Sequence, residues 1–438
     1  MLARRGHAVV IGAGPAGLLA AGVLADSFGW VTVLEQDRVP AGPTGVRTLP
    51  GAPHTLDPGC REALDRLLPG LVETLQQGGA PVGDILGNCR WYLGGRRLEP
   101  RPAGRLALTV GPQALDRALR RRLRDLPGVG IVDSSTVTGL LTTADRRQVT
   151  GVRVLPHEER EQTVEADLVV DASATAARSP GWLSGLGLPQ PRPVRPPWGI
   201  STVSRRYGLA AAPPGAELAL VVAPTGQVPR TGTLAREENG RWTLTLGSLA
   251  GDLPHGPDHD ALLRFACTLA APDIYEALRG ARPLADAAPV AVAAGLRWHH
   301  RGLHRLPPGL LVLPRAAAPH GPGYDPVNSR TVGQAVLTAL ALRRCLAEQG
   351  TRALAQRFRR ELRRATGGAP GGSAGYIPQV TAALRQLPPA TRLRHRALDL
   401  AQPAAGSGAE NPPSGCRFRT RCWKAQDVCS TQEPPLVA

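Results

Sequence analysis

The sequence predicts an α/β protein in which a parallel sheet flanked by helices is joined to a separate antiparallel sheet. Three observations predict it. Early in the chain an apolar run, a glycine turn, an Ala- and Leu-rich stretch and a second apolar run follow in that order. Apolar strand-like segments recur later between helical periodicities, notably ADLVVD at 166–171. From about 201 to 249 the pattern changes to short alternating segments, with Asn239-Gly240 between 234–237 and 241–246 as a hairpin signal.

Taken in order, residues 7–11 read as a buried strand, GAGPAG fills 12–17, and a helix runs on to about Ser27. WVTVL at 30–34 is the second strand and ends at Glu35. Arg4 and Arg5 ahead of this stretch mimic an export signal, but a strand and a glycine turn explain the same residues. Around 116–126, Leu115, Leu119, Leu123 and Leu126 recur at helical spacing. Arg120, Arg121, Arg122 and Arg124 fall largely on the other faces and read as a solvated surface. Residues 151–155 and 166–171 are expected to be strands of the same parallel sheet. A helix is expected around 260–271, a buried strand at 310–313, and helices over 331–349 and 351–365, the first stopped by Gly350. Gly/Pro-rich linkers at 367–375 and 402–414 set off the C-terminal part.

A chain of 438 residues with 42% hydrophobic residues can bury two or three cores. Its formal charge of +17 invites a nucleic-acid reading. The makeup of that charge argues against one: Lys424 is the only lysine, and the arginines are dispersed and not interleaved with aromatics. Coding bias explains the arginines, and no nucleic-acid partner is expected. No apolar run reaches the ~18 residues of a spanning helix, so no integral membrane segment is expected. Cys60, Cys89, Cys267 and Cys345 are scattered singly, which suits a reduced, cytoplasmic compartment.

GAGPAG follows a strand, opens a helix and is completed by an acidic residue at the end of the next strand, the combination that marks a dinucleotide turn. Gly12 permits the tight turn, Gly14 lets the backbone approach a pyrophosphate, and Gly17 lets helix pack on strand. Pro15 and Ala16 open the helix, whose N-terminus offers unpaired N–H groups to phosphate. Glu35 is placed to accept hydrogen bonds from the adenosine ribose.

At these residues a family resemblance appears. HAVVIGAGPAGLLAAGVLADSFGWVTVLEQDRVP resembles the opening of the aromatic-hydroxylase-like (group A) FAD monooxygenases. More narrowly, it is similar to the actinobacterial branch of polyketide epoxidases and tailoring flavoproteins. The likeness continues through RWYLGGRRL, QALDRALRRRLRDLPGV, ADLVVDASATAARSPGWLSGLGLP, GRWTLTLGSLAGDLP and LPPGLLVL to TALALRRCL, over about 5–360. It implies a Rossmann-type FAD-binding domain made of 1–75, 101–185 and 296–365, with a β-sheet substrate domain of 76–100 and 186–295 inserted. A helical extension over 366–402 and an appended tail over 403–438 follow. Gln113 stands near where such enzymes place a Gln or Arg on the cofactor, and His54 falls in a motif beside the flavin cleft. NAD(P)H would be a transient reductant, since no second G-x-G-x-x-G is present.

The chain departs from the family pattern on the flavin side. Asp171-Ala172-Ser173-Ala174-Thr175-Ala176-Ala177-Arg178 stands where an Asp-Ala-Thr-Gly-type turn is usual. Pro314-Arg315 replaces Gly-Asp, whose carboxylate holds the ribityl chain, and the 325–332 segment carries Ser329 and Thr331 where glycines are usual. Losing that carboxylate weakens binding by ~1.5–3 kcal/mol. Asp325 or the helix start near Thr331 would substitute. The motif implied just before the first cleft helix is blurred to Thr44-Gly45-Val46-Arg47.

His299, His300 and His304 lack a carboxylate or cysteine at ligand spacing and read as a solvated loop or helix edge. The segment ENPPSGCRFRTRCWKAQDVCSTQEPPLV, about 410–437, resembles the C-terminal extension of oligopeptide and dipeptide ABC-transporter ATP-binding subunits. Cys416, Cys422 and Cys429 lie close enough to share a metal, but with no fourth ligand the tail reads as a fusion scar. The sequence therefore implies an FAD-dependent monooxygenase that hydroxylates or epoxidises a small apolar, polyketide-like or aromatic substrate with NAD(P)H and O₂. A flavin-binding non-redox cyclase and a catalytically inactive homologue or chimera are the alternatives it leaves open.

Overall fold

The computed structural model describes residues 6–38, 52–102, 104, 106–157, 159–173, 179–185, 192–194, 201–225, 227–248, 252–254, 258–290, 297–299, 306–314 and 330–365. Five strands form a parallel sheet in the order Leu310–Val312, Leu168–Asp171, His7–Ile11, Trp30–Leu34, Val129–Val132. The first apolar run is thus the central strand. It is buried along Ala8, Val9, Val10 and Ile11, as a strand covered on both faces requires. On one face Leu18, Leu19 and Leu24 of the helix Pro15–Leu24 pack with Leu115, Leu119 and Leu123 of the helix Pro112–Arg124. Val332, Val336 and Leu342 of the helix Arg330–Gln349 complete that layer.

The opposite face is covered differently from the sequence expectation. Residues 151–155 do not join the parallel sheet. They lie in the strand Val149–Pro156, which pairs antiparallel with Ser135–Thr142 and Gln162–Glu165. The reason is the alternation itself: Val152 and Val154 are buried against Val9, Ile11 and Val169, while Arg153 and Leu155 face solvent. A strand with one wet side suits an antiparallel cover, not the interior of a parallel sheet.

The hairpin signal is borne out. Arg230–Arg236 and Arg241–Ser248 pair antiparallel, and Asn239 (φ 61°) and Gly240 (φ 68°) take the left-handed turn that those residue types favour. Both belong to a second sheet with Ser201–Gly208, Ala219–Val222, Cys89–Leu93 and shorter strands. It is antiparallel except where Ala219–Val222 runs parallel to Cys89–Leu93. One face, carrying Tyr207, Leu220, Leu234, Leu244 and Leu246, is covered by helices His259–Cys267 and Asp273–Leu278, two where one was expected. A small sheet of His54–Leu56, Leu106–Val110 and Val82–Asp84 lies at the junction, with Leu108 and Val110 in the core under the parallel sheet. Ala107 turns instead to the second sheet's apolar patch. The helices expected at 331–349 and 351–365 are Arg330–Gln349 and Leu354–Ala365. No helix among the described residues is long and apolar enough to cross a membrane.

Candidate functional site

The site is built where the parallel strands end. Gly12 leaves the central strand at φ +95°, a conformation that L side chains rarely adopt, and a Cβ there would lie 3.0 Å from Ser173 Cα. Gly17 lies in the first turn of the helix Pro15–Leu24, and a Cβ there would collide with the Gly12 carbonyl oxygen. Gly14, the N-cap, is different. Its backbone is extended (φ −76°, ψ 176°), and a Cβ there would meet nothing within 4 Å. Two glycines are required by the fold, and the third borders open space. Pro15 takes the first helical position, where its missing N–H removes no hydrogen bond.

Glu35, at the end of Trp30–Leu34, is buried, and its carboxylate accepts from the Ala13 N–H (2.9 Å) and the Asp37 N–H (3.1 Å). On the other side, Arg120 reaches the same residue: its guanidinium donates to the Ala13 carbonyl (3.1 Å) and pairs with Asp116 at 2.9 Å. Arg120 is only 4% exposed, which corrects its assignment to a solvated helix surface. Arg121, Arg122 and Arg124 lie on the outer part of that helix, where Arg122 bonds the Pro69 carbonyl. Averaged charge periodicity assigns all four to one surface, whereas a single guanidinium one turn after Asp116 points inward.

The next turn of the site follows Leu168–Asp171. The buried Asp171 carboxylate accepts from the Ser173 N–H (3.0 Å) and hydroxyl (2.7 Å), and Ala172 backs the Gly12 turn. At the start of Pro112–Arg124, buried Gln113 accepts from the Arg206 guanidinium on Ser201–Gly208. Arg206 pairs in turn with Glu237, which has no exposed surface (Nε to Oε2, 3.3 Å), and Thr243 donates to the same carboxylate. Burial raises the Glu237 carboxyl above the ordinary carboxylate range, against the pull of Thr243 and Arg206. Glu238 accepts from the Gly111 N–H at 3.0 Å, so the hairpin grips the first turn of that helix.

The second sheet's face opposite its helices is graded. One row crosses from Ser204 through Thr245, Thr233 and Val221 to Trp91, and the next from Arg206 through Thr243 and Ala235 to Ala219. Hydroxyls and Arg206 occupy one half; Val221, Ala219, Ala235 and Trp91 give the other its apolar character.

His54 is buried on His54–Leu56, opposite Val110. Pro314 follows Leu310–Val312, and Thr331 is the second residue of the helix Arg330–Gln349. Residues 44–47, 174–178, Arg315, Asp325, Ser329, His300, His304 and the tail with Cys416, Cys422 and Cys429 lie outside the described residues, as do the linkers. Among the described residues no group of three or more His, Cys, Asp or Glu is placed to hold a metal ion. Sequence reasoning singled out Gln113 but missed Arg120, Arg206 and Glu237, each of which also has a partner far away in the chain: Ala13 for Arg120, Gln113 for Arg206, and Arg206 for Glu237.

No family model matches the chain. Protein Rv3254 of Mycobacterium tuberculosis is 32% identical over 376 residues, spanning 82% of this chain and 77% of that protein. A 28-residue stretch is 61% identical to the oligopeptide transport ATP-binding protein OppF of Haemophilus influenzae, covering 6% of this chain and 8% of that one. Among solved structures, PqsL of P. aeruginosa in complex with 2-aminobenzoylacetate superposes with a TM-score of 0.61 at 17% identity, covering 84% of this chain and 95% of PqsL. The flavin-dependent brominase Bmp2 gives 0.61 at 16%, over 90% and 87% of the two chains. The myxobacterial FAD-dependent halogenase CndH gives 0.60 at 21%, over 93% and 92%. The fold is therefore that of FAD-dependent monooxygenases and halogenases.

Proposed function

We propose that this chain, which belongs to the same family as Protein Rv3254 of Mycobacterium tuberculosis, is an FAD-dependent monooxygenase acting on a small, largely apolar substrate. The observation that carries the reading is the open space beside Gly14, in a turn whose other two glycines are demanded by packing. A pyrophosphate fits there because backbone and helix N-terminus reach it without an intervening side chain. Glu35 is the ribose contact and Gln113 the contact nearer the ring, with the discontinuous boundaries given by the resemblance. When bound, FAD supplies electron transfer from NAD(P)H and activation of O₂. The chain's own part is to bind, orient and exclude water. Val221, Ala219, Ala235 and Trp91 offer apolar surface to the substrate body, and Ser204, Thr245 and Arg206 suit an oxygen-bearing edge. His54 is a cleft-wall residue in this reading.

A second reading, a flavin-binding protein without redox turnover, is favoured by Pro314. Proline offers a ligand no N–H at the position where the resembling enzymes have glycine. Visible flavin absorbance of the purified protein, followed anaerobically on adding NADPH, separates the two. Bleaching supports the monooxygenase. Bound flavin that stays oxidised supports the second reading, and protein that takes up no FAD on titration refutes both.

A further inference from the structure

Arg120 is a buried cation whose position serves neither solubility nor a surface ion pair. With Asp116 it forms an ion pair almost wholly removed from water, 4% and 9% exposed. Such a pair is weak evidence of stabilisation, because desolvating two charges offsets most of their attraction. What the pair does accomplish is directional. Asp116 holds the Arg120 Nε, which leaves Nη2 to donate to the Ala13 carbonyl, inside GAGPAG.

The Ala13–Gly14 peptide is trans, so its C=O and N–H point in opposite directions. With the carbonyl tied to Arg120 on the inside, the Gly14 N–H points the opposite way, and a Cβ on the same residue would meet only open space. Glu35 holds the preceding peptide by accepting from the Ala13 N–H, so the turn is fixed at both ends of one residue. We propose that Arg120, held by Asp116, is a positioning residue that sets the Ala13–Gly14 peptide so that the turn presents its N–H to a diphosphate. The proposal rests on the FAD reading and extends it to a residue on a different helix from the fingerprint.

A positioning role acts on diphosphate binding, whereas a merely structural one acts on stability. The probe is therefore ADP, titrated calorimetrically beside FAD, with thermal unfolding of each ligand-free protein. Arg120→Met should weaken ADP and FAD by the same factor, at least tenfold. Arg120→Lys keeps the charge but cannot serve Asp116 and Ala13 together, so it should fall between parent and Arg120→Met. If Arg120→Met does not fold, Arg120→Lys decides alone: unchanged ADP affinity overturns the proposal. A folded Arg120→Met that binds ADP as tightly as the parent also overturns it. A parent that binds neither ADP nor FAD sinks the FAD reading itself, and the inference falls with it.

Discussion

Replacing the three turn glycines one at a time separates what the fold needs from what a ligand needs. Gly17→Ala gains about 1 kcal/mol of helix propensity over glycine. It also drives a Cβ into the Gly12 carbonyl oxygen, a backbone atom that cannot swing aside. Overpacking of this kind costs about 1–3 kcal/mol or more, so the clash should win and the apo protein should lose stability. Gly12→Ala places a side chain at φ +95°, where the left-handed penalty of about 1–2 kcal/mol applies in full. Gly14→Ala meets neither obstacle. Its extended backbone accepts alanine, and the reduced freedom of the unfolded chain, about 0.4–1 kcal/mol, offsets the poorer capping by alanine, so the apo protein should stay close to the parent in stability. On the FAD reading the same methyl group would stand in the path of the phosphate, and losing one charge-assisted bond of ~1.5–3 kcal/mol should weaken FAD roughly ten- to a hundredfold. Urea unfolding of the apo proteins and FAD titration by fluorescence quenching read the two effects independently. A Gly14→Ala protein as unstable as Gly17→Ala, or one that binds FAD like the parent, would refute the reasoning.

Glu237 gives a pH signature. Its carboxyl is raised by burial, so the native state holds the proton above the ordinary carboxylate pKa that the unfolded chain retains. That contribution is full at low pH and lost as pH rises through the raised value, so the parent should lose stability relative to Glu237→Gln over that range, and a difference flat with pH in urea melts would contradict it. Burial raises the thiols of Cys60 and Cys89, while Cys267 is exposed. Brief alkylation followed by peptide mass spectrometry should label Cys267 and spare Cys60 and Cys89. Asp57 caps the helix Pro58–Leu67 by accepting from the Cys60 N–H at 2.9 Å, and Asp57→Ala should cost about 1 kcal/mol in the same melts. Pro314→Gly with Arg315→Asp should tighten FAD if the flavin side has degenerated; weaker binding in the same titration would show that the pair has acquired a contact of its own.

What the sequence made legible was local. The turn at Gly12 and the Asn239-Gly240 hairpin are dictated by backbone sterics within a few residues, so residue type alone announces them. Membership of a sheet is not local. The alternation in 149–156 was visible, but whether it lies in the parallel sheet or over it depends on pairing with Ser135–Thr142, settled by tertiary packing. The same holds at the site. Glu35 was legible because the spacing from the glycine turn is fixed by one strand–helix–strand unit. Arg120 and Arg206 were not, since the first finds its partner in Ala13 and the second in Gln113 and Glu237, and neither distance leaves a mark on periodicity.

The order of strands in the parallel sheet has a consequence for biosynthesis. Leu168–Asp171 is an interior strand only because Leu310–Val312 pairs along its outer side. That last strand emerges from the ribosome after the entire hairpin sheet has been made. Until then Leu168, Val169 and Val170 present an unpaired, wholly apolar edge, the kind that recruits other chains. Closing so long an excursion also makes native pairing slow compared with local helix formation. Nascent chains arrested before the last strand should therefore be the most prone to aggregate, and a premature stop in the hairpin sheet should yield insoluble protein.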